Sequence, residues 1–167
     1  MHEDLASKIE KLTVELTNVL GVVGTKEESN VSEKVFKTLR EMKYFKKHPE
    51  LVKYVPVKND KLGRKSVLAI VKGEKGNSKK AVICIGHTDT VGISDYGNFK
   101  KYATKPYELL DKLKEVSLPA EALKDLQSGE YLFGRGIFDM KCGDATLMSI
   151  MESISDKTSM YLLVGTY

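Results

Sequence analysis

Three side chains in this sequence combine suitable chemistry with ordered spacing. His87 and Asp89 lie in Gly86-His87-Thr88-Asp89-Thr90-Val91, and Asp139 lies in Gly134-Arg135-Gly136-Ile137-Phe138-Asp139-Met140-Lys141. One residue separates His87 from Asp89, so on extended backbone both project to the same side. There an imidazole can take a divalent cation while a neighbouring carboxylate orients it. Asp139 follows two glycines, which permit unusual backbone, and stands just ahead of a helical pattern. A carboxylate so placed can bridge two metal ions about 3.5 Å apart, the arrangement of two-metal hydrolytic centres.

Each feature also has a plainer reading. A His-x-Asp triplet can do no more than close a strand end, and an Asp before a helical pattern is a common N-cap. The cap leaves both glycines unexplained, together with the pairing of Asp139 with a His-x-Asp upstream.

The elements that must position these residues follow from the hydrophobic patterning. Leu5, Ile9, Leu12, Leu16 and Val19 recur at spacings of three and four, which predicts an amphipathic helix ending near Gly21 to Gly24. A second helix is expected from Ser32 as N-cap through Val35, Phe36, Leu39 and Met42, broken at Lys46-Lys47-His48-Pro49. Leu51 to Val57 and Ser66 to Lys72, separated by Asn59-Asp60-Lys61-Leu62-Gly63, read as a hairpin. Ala81-Val82-Ile83-Cys84-Ile85 is apolar without alternation, the pattern of a strand buried on both faces, and it delivers His87 at its carboxyl end. Ser94 to Glu130 is irregular and polar, with short helices expected at 106–116 and 119–126, and reads as an insertion over a scaffold. A helix from Asp144 to Ile154 and a strand from Met160 to Val164 complete the order strand, helix, strand, which implies a parallel pair joined by a crossover.

Composition fits an ordinary globular protein, with 41% hydrophobic and 30% charged residues and no apolar run long enough to cross a bilayer. The acidic start Met1-His2-Glu3-Asp4-Leu5 lacks the pattern of a signal peptide, so a cytoplasmic location is expected. Cys84 and Cys142 show no paired framework and read as reduced thiols. The net charge of +4 arises from 27 basic residues interleaved with 23 acidic ones, not from a basic patch, so no nucleic-acid partner and no membrane contact are expected. The adjacent Glu27-Glu28 reads as a solvated pair at a helix start. His2 and His48 read as terminal and surface residues, and Cys142 as a small residue at a helix start or, less simply, a zinc ligand.

Taken together, Gly-His-Thr-Asp-Thr-Val at 86–91 and Gly-Arg-Gly-x-x-Asp-Met-Lys at 134–141 resemble the first two signature motifs of the zinc-dependent aminoacylase and carboxypeptidase family. That family includes acetylornithine deacetylase and succinyl-diaminopimelate desuccinylase. The insertion and the opening Leu-Thr-Val-Glu-Leu are similar to its arginine-utilisation, RocB-like branch. The resemblance implies an α/β fold: the N-terminal portion of a zinc-exopeptidase-like catalytic domain, with a mixed, mostly parallel sheet flanked by helices. It implies His87 as a ligand of one zinc, Asp139 as the carboxylate bridging two, and Asp89 as the acid of the catalytic centre that fixes the His87 ring. It also implies a cis peptide at Asp139-Met140, and a small peptide or N-acyl amino acid as substrate.

In that family the strand after the bridging aspartate ends in two adjacent glutamates, a general base and a zinc ligand. Here the last expected strand is followed by Gly165-Thr166-Tyr167. The reading is therefore one partial catalytic domain over 1–167 with an insertion at 94–130 and no lid domain. A zinc pair would not be stably held, the chain alone would be inactive, and an unpaired edge at 81–85 or 160–164 would favour a homo-oligomer. The alternative is a non-catalytic binding or association module that retains the fold.

Overall fold

In the computed structural model, residues 4–76, 78–155 and 161–166 are described. The sequence alternates helix and strand, and the structure folds accordingly. Helix α1 (Leu5–Thr17) starts on an Asp4 side chain that accepts from the Ala6 amide at 2.8 Å, satisfying one of the free donors at the helix start. It buries Leu12, Val14 and Leu16.

Helix α2 (Glu28–Glu41) begins four residues before the expected Ser32 cap. Ser32 lies inside the helix, buried, with its hydroxyl donating to the Ser29 carbonyl at 2.9 Å. Nor does the helix run on to Lys47: extended backbone at Met42 ends it, and a separate short helix α3 (Lys43–Lys47) follows.

Strands β1 (Val52–Pro56) and β2 (Lys65–Val71) form the expected antiparallel hairpin, with Asn59 and Gly63 at positive φ in its turn. Strand β3 (Ala81–Gly86) leads to the His87 loop. The 94–130 segment contains a kinked 3-10 stretch at Ser94–Tyr102, helix α4 (Pro106–Leu113) and helix α5 (Ala120–Ser128). Helix α6 (Cys142–Ile154) and strand β4 (Tyr161–Thr166) follow.

The sheet order is β1-β2-β4-β3. Among the described strands only β3 and β4 pair in parallel; β1 with β2 and β2 with β4 are antiparallel, so the sheet is mixed as expected but not mostly parallel, because the β1-β2 hairpin supplies two of its four strands. This is a mixed α/β sheet in which β4 is central and β3 is an edge. A second expectation is overturned at β3. Far from being buried on both faces, β3 leaves Val82, Ile83 and Ile85 exposed, because an edge strand has a neighbour on one side only and no described element covers its outer face.

The core lies on the other face. Val67, Ala69, Val71, Leu162 and Val164 pack there against Leu12 and Leu16 of α1, Val35 and Leu39 of α2, and Ala145, Met148 and Met151 of α6. No described helix is long and apolar enough to cross a membrane.

Candidate metal centre

Parallel pairing of β3 and β4 sets Gly86 beside Thr166, so both carboxyl ends open on one sheet end, where α/β sheets place their binding sites. The loop after β3 is fastened to the loop after α1. Thr90 donates its amide to the Gly21 carbonyl at 2.7 Å, and Val23 donates to the Thr90 carbonyl at 2.9 Å. The second loop is fastened too. The Arg135 amide donates to the Ala103 carbonyl at 2.6 Å, and the buried Lys141 ammonium donates to the Val19 carbonyl at 2.7 Å. Gly136 takes φ +79°, and a side chain there would put its Cβ 2.4 Å from Thr90 Cγ2, so only glycine fits between the two loops.

These restraints bring the three expected residues together. His87 Nδ1 faces both the Asp89 carbonyl oxygen and Asp89 Oδ1, each at 3.2 Å, and His87 Nε2 lies 2.8 Å from Asp139 Oδ1. Asp139 has extended backbone, and its carboxylate meets His87 in place of capping α6. The Asp139-Met140 peptide is cis. Around the cluster is a concavity of about 310 Å³, also lined by Thr90, Val91 and Arg135, with Phe138 90% exposed beside it.

Burial alone would lower the proton affinity of His87. The hydrogen bond with Asp139, the Asp89 and Asp139 charges and the Asp89 carbonyl outweigh it, and the imidazole pKa ends above its ordinary value. Both ring nitrogens face acceptors, an arrangement that suits an imidazolium. A proton on Nε2 would lie between a nitrogen and a carboxylate oxygen, the place a divalent cation takes when it displaces such a proton. The donor set of one imidazole and one carboxylate fits zinc and related ions. Among the described residues no group of three or more His, Cys, Asp or Glu converges to hold an ion.

Other residues near the site depart from their sequence reading. Glu27 is exposed, but Glu28 is buried: one oxygen accepts from the Gly24 amide at 2.6 Å and the other from Arg64 at 2.9 Å. The charge is hidden because α2 begins at Glu28 and turns its first residue inward. Cys142 is the first residue of α6, its thiol 3.4 Å from the Phe138 carbonyl, and Cys84 is also a free thiol. His48 ends α3 beside Glu50, away from the cluster, and His2 lies outside the described residues.

Sequence reasoning gave no role to Asp144. It is 2% exposed in the first turn of α6, and neither carboxylate oxygen has a hydrogen-bond partner among the described residues. Burial raises its pKa to about 7 against the opposing charges of His87 and Lys141. Burial also lowers Lys141 to about 8, partly offset by Asp144. The signal was present: Asp144, Met148 and Met151 follow helical spacing, which places the acid on the buried stripe. Arg135 was likewise missed as a link to the 94–130 segment. Its guanidinium pairs with Asp95 and stands 5.1 Å over the Tyr96 ring.

No family model matches the chain. Protein YqjN of Bacillus subtilis (strain 168) is 39% identical over 143 residues, covering 84% of this chain and 25% of the relative. RocB of the same organism is 32% identical over 155 residues, covering 93% of this chain and 27% of RocB. Among solved structures, human carnosine dipeptidase 1 superposes with a TM-score of 0.58 at 12% identity, over 95% of this chain and 31% of its own. An M20 family metallo-carboxypeptidase, Sso-CP2 of Sulfolobus solfataricus, gives 0.59 at 14% identity, over 95% and 30%. The dipeptidase Dug1p of Saccharomyces cerevisiae gives 0.54 at 12%, over 97% and 32%. The chain therefore belongs to the RocB family and shares its fold with the M20 family metallo-carboxypeptidase, and it spans about a quarter of the length of the curated relatives it matches.

Proposed function

We propose that the chain supplies the His87 and Asp139 ligands of a zinc centre in a hydrolase that cleaves amide or peptide bonds. The observation that carries this reading is the 2.8 Å approach of His87 Nε2 to Asp139 Oδ1, with the other ring nitrogen held by Asp89. A zinc ion bound there lowers the pKa of water toward neutrality and polarises a carbonyl.

The chain's own residues prepare that chemistry. Asp89 holds the Nδ1 proton and so keeps the Nε2 lone pair directed at the site. Asp139 would be the carboxylate ligand that holds the metal beside His87. Its two glycines and the Lys141 clamp fix the loop that carries it, and Asp95 holds Arg135 at the rim, which makes the 94–130 insertion a candidate specificity element. The substrate class is a small peptide or N-acyl amino acid, in keeping with the dipeptidases and the carboxypeptidase of like fold. A cytoplasmic role in arginine utilisation, expected from the resemblance of the sequence to the RocB-like branch, is part of the same proposal.

With a partial ligand set among its described residues, the chain alone is inactive until further carboxylates are supplied. The test is hydrolysis of N-acyl amino acids and dipeptides by the chain combined with the remaining part of a RocB-like protein. His87→Ala and Asp139→Ala abolish turnover, and Asp89→Asn lowers it about 10- to 100-fold. Undiminished turnover in His87→Ala contradicts the reading.

A further inference from the structure

One short segment between α1 and α2 touches both metal-site loops. Its Gly21 carbonyl accepts the Thr90 amide, and its Val23 amide donates back to the Thr90 carbonyl, one residue beyond Asp89. Its Val19 carbonyl accepts from the Lys141 ammonium, two residues beyond Asp139. The approach of His87 to Asp139 therefore depends on where residues 19–23 stand.

Their far end is fixed by a buried charge. While the Val23 amide goes to Thr90, the next amide, that of Gly24 at φ +76°, donates to Glu28 Oε2 at 2.6 Å. Glu28 is 9% exposed, and its other oxygen accepts from Arg64 Nη1 at 2.9 Å. Arg64 is held in turn by Asp60, which accepts from its Nη2 and from its backbone amide, each at 2.7 Å. Asp60 and Arg64 belong to the turn of the β1–β2 hairpin, and a concavity of about 330 Å³ is lined jointly by Glu28, Arg64, Thr88 and Asp89. A carboxylate hidden this far is costly unless both oxygens are met. An uncharged acceptor would satisfy the Gly24 amide; the charge is accounted for by the guanidinium it meets.

We propose that Glu28 is a positioning residue of the metal centre, with Arg64 and Asp60 acting through it. The ion pair ties the hairpin turn to residues 22–24, these fix Thr90, and Thr90 sets the loop that carries the His87 ring against Asp139. This role rests on the metal centre proposed above and adds to it residues outside the His87, Asp89 and Asp139 cluster.

The test uses the 167-residue chain and its variants Glu28→Ala, Arg64→Ala and Glu15→Ala, the last removing an α1–α2 ion pair with Lys34 as a control. Amide exchange at Val23 and Thr90 is compared with exchange in β2, and zinc is titrated on the His87 imidazole resonances. In Glu28→Ala, exchange at Val23 and Thr90 speeds up by at least about tenfold while β2 changes by less than about threefold. Half-saturation of the His87 shifts then takes at least about tenfold more zinc, the scale on which partners behind a metal ligand act. Arg64→Ala moves both readouts the same way by a smaller factor, and carries the comparison if Glu28→Ala fails to fold; Glu15→Ala moves neither. Equal acceleration in β2, which marks a loss of overall stability, overturns the proposal, as does an unchanged Thr90 amide or an unchanged zinc response in a folded Glu28→Ala. A parent chain whose His87 ignores zinc contradicts the metal centre itself, and the exchange comparison still decides the positioning role.

Discussion

His87 Nε2 and Asp139 Oδ1 lie 2.8 Å apart although their residues stand 52 positions apart in the chain. Two loops held by independent backbone hydrogen bonds create that approach, and a proton or a cation between the two atoms makes it favourable. The site is thus held from both sides before anything binds.

The proton at His87 should respond to its carboxylate neighbours. The folded pKa lies above 6.5, so the His87 interactions stabilise the fold fully below the unfolded value and fade as pH rises through the folded one. Asp139→Asn removes the strongest of the contacts that raise it. NMR titration of the ring should show a lower pKa in Asp139→Asn than in the parent; equal values would mean that the contact is not made in solution.

Asp144 should give the opposite kind of signature, a cost in place of a gain. Its folded pKa of about 7 exceeds the ordinary 3.8, so the folded state holds the proton more tightly and stability falls as pH rises from about 4 to about 7. Three pH units correspond to a penalty on the order of 4 kcal/mol at the upper end. Asp144→Asn keeps the shape and removes the charge, so its stability advantage in urea should widen across that window and stay level above it. An advantage independent of pH would rule out a buried ionising carboxyl.

Gly86 and Asp144 should be coupled. A Cβ at Gly86 would lie 2.1 Å from Asp144 Oδ1, so Gly86→Ala forces the helix start away from the strand end and should cost about 1–3 kcal/mol. Asp144→Ala in the same chain should recover most of that loss, a coupling that a double-mutant cycle measures directly. Additive effects would mean that the clash is relieved elsewhere.

Much of this architecture is legible in the sequence because it depends on local patterns. The spacing of Leu5 to Leu16 specifies α1, the β-branched runs around Asn59 to Gly63 specify the hairpin, and the two glycine-bearing motifs mark His87, Asp89 and Asp139. What escapes is decided by neighbours distant in sequence. An apolar run such as 81–85 reads alike in a central strand and in an edge strand whose cover comes from elsewhere. Glu28 looks solvated until Arg64, 36 residues on, is known to meet it. The start of α2 was misplaced because Ser32, a plausible cap by type, lies one turn inside the helix.

The most direct test of the metal-centre account is a zinc titration of the chain followed on the His87 imidazole resonances. The account predicts saturable shifts at His87 that weaken sharply in Asp139→Asn, with affinity well below that of a complete three-ligand site. A His87 ring unmoved by millimolar zinc, or equal binding after Asp139→Asn, would contradict it.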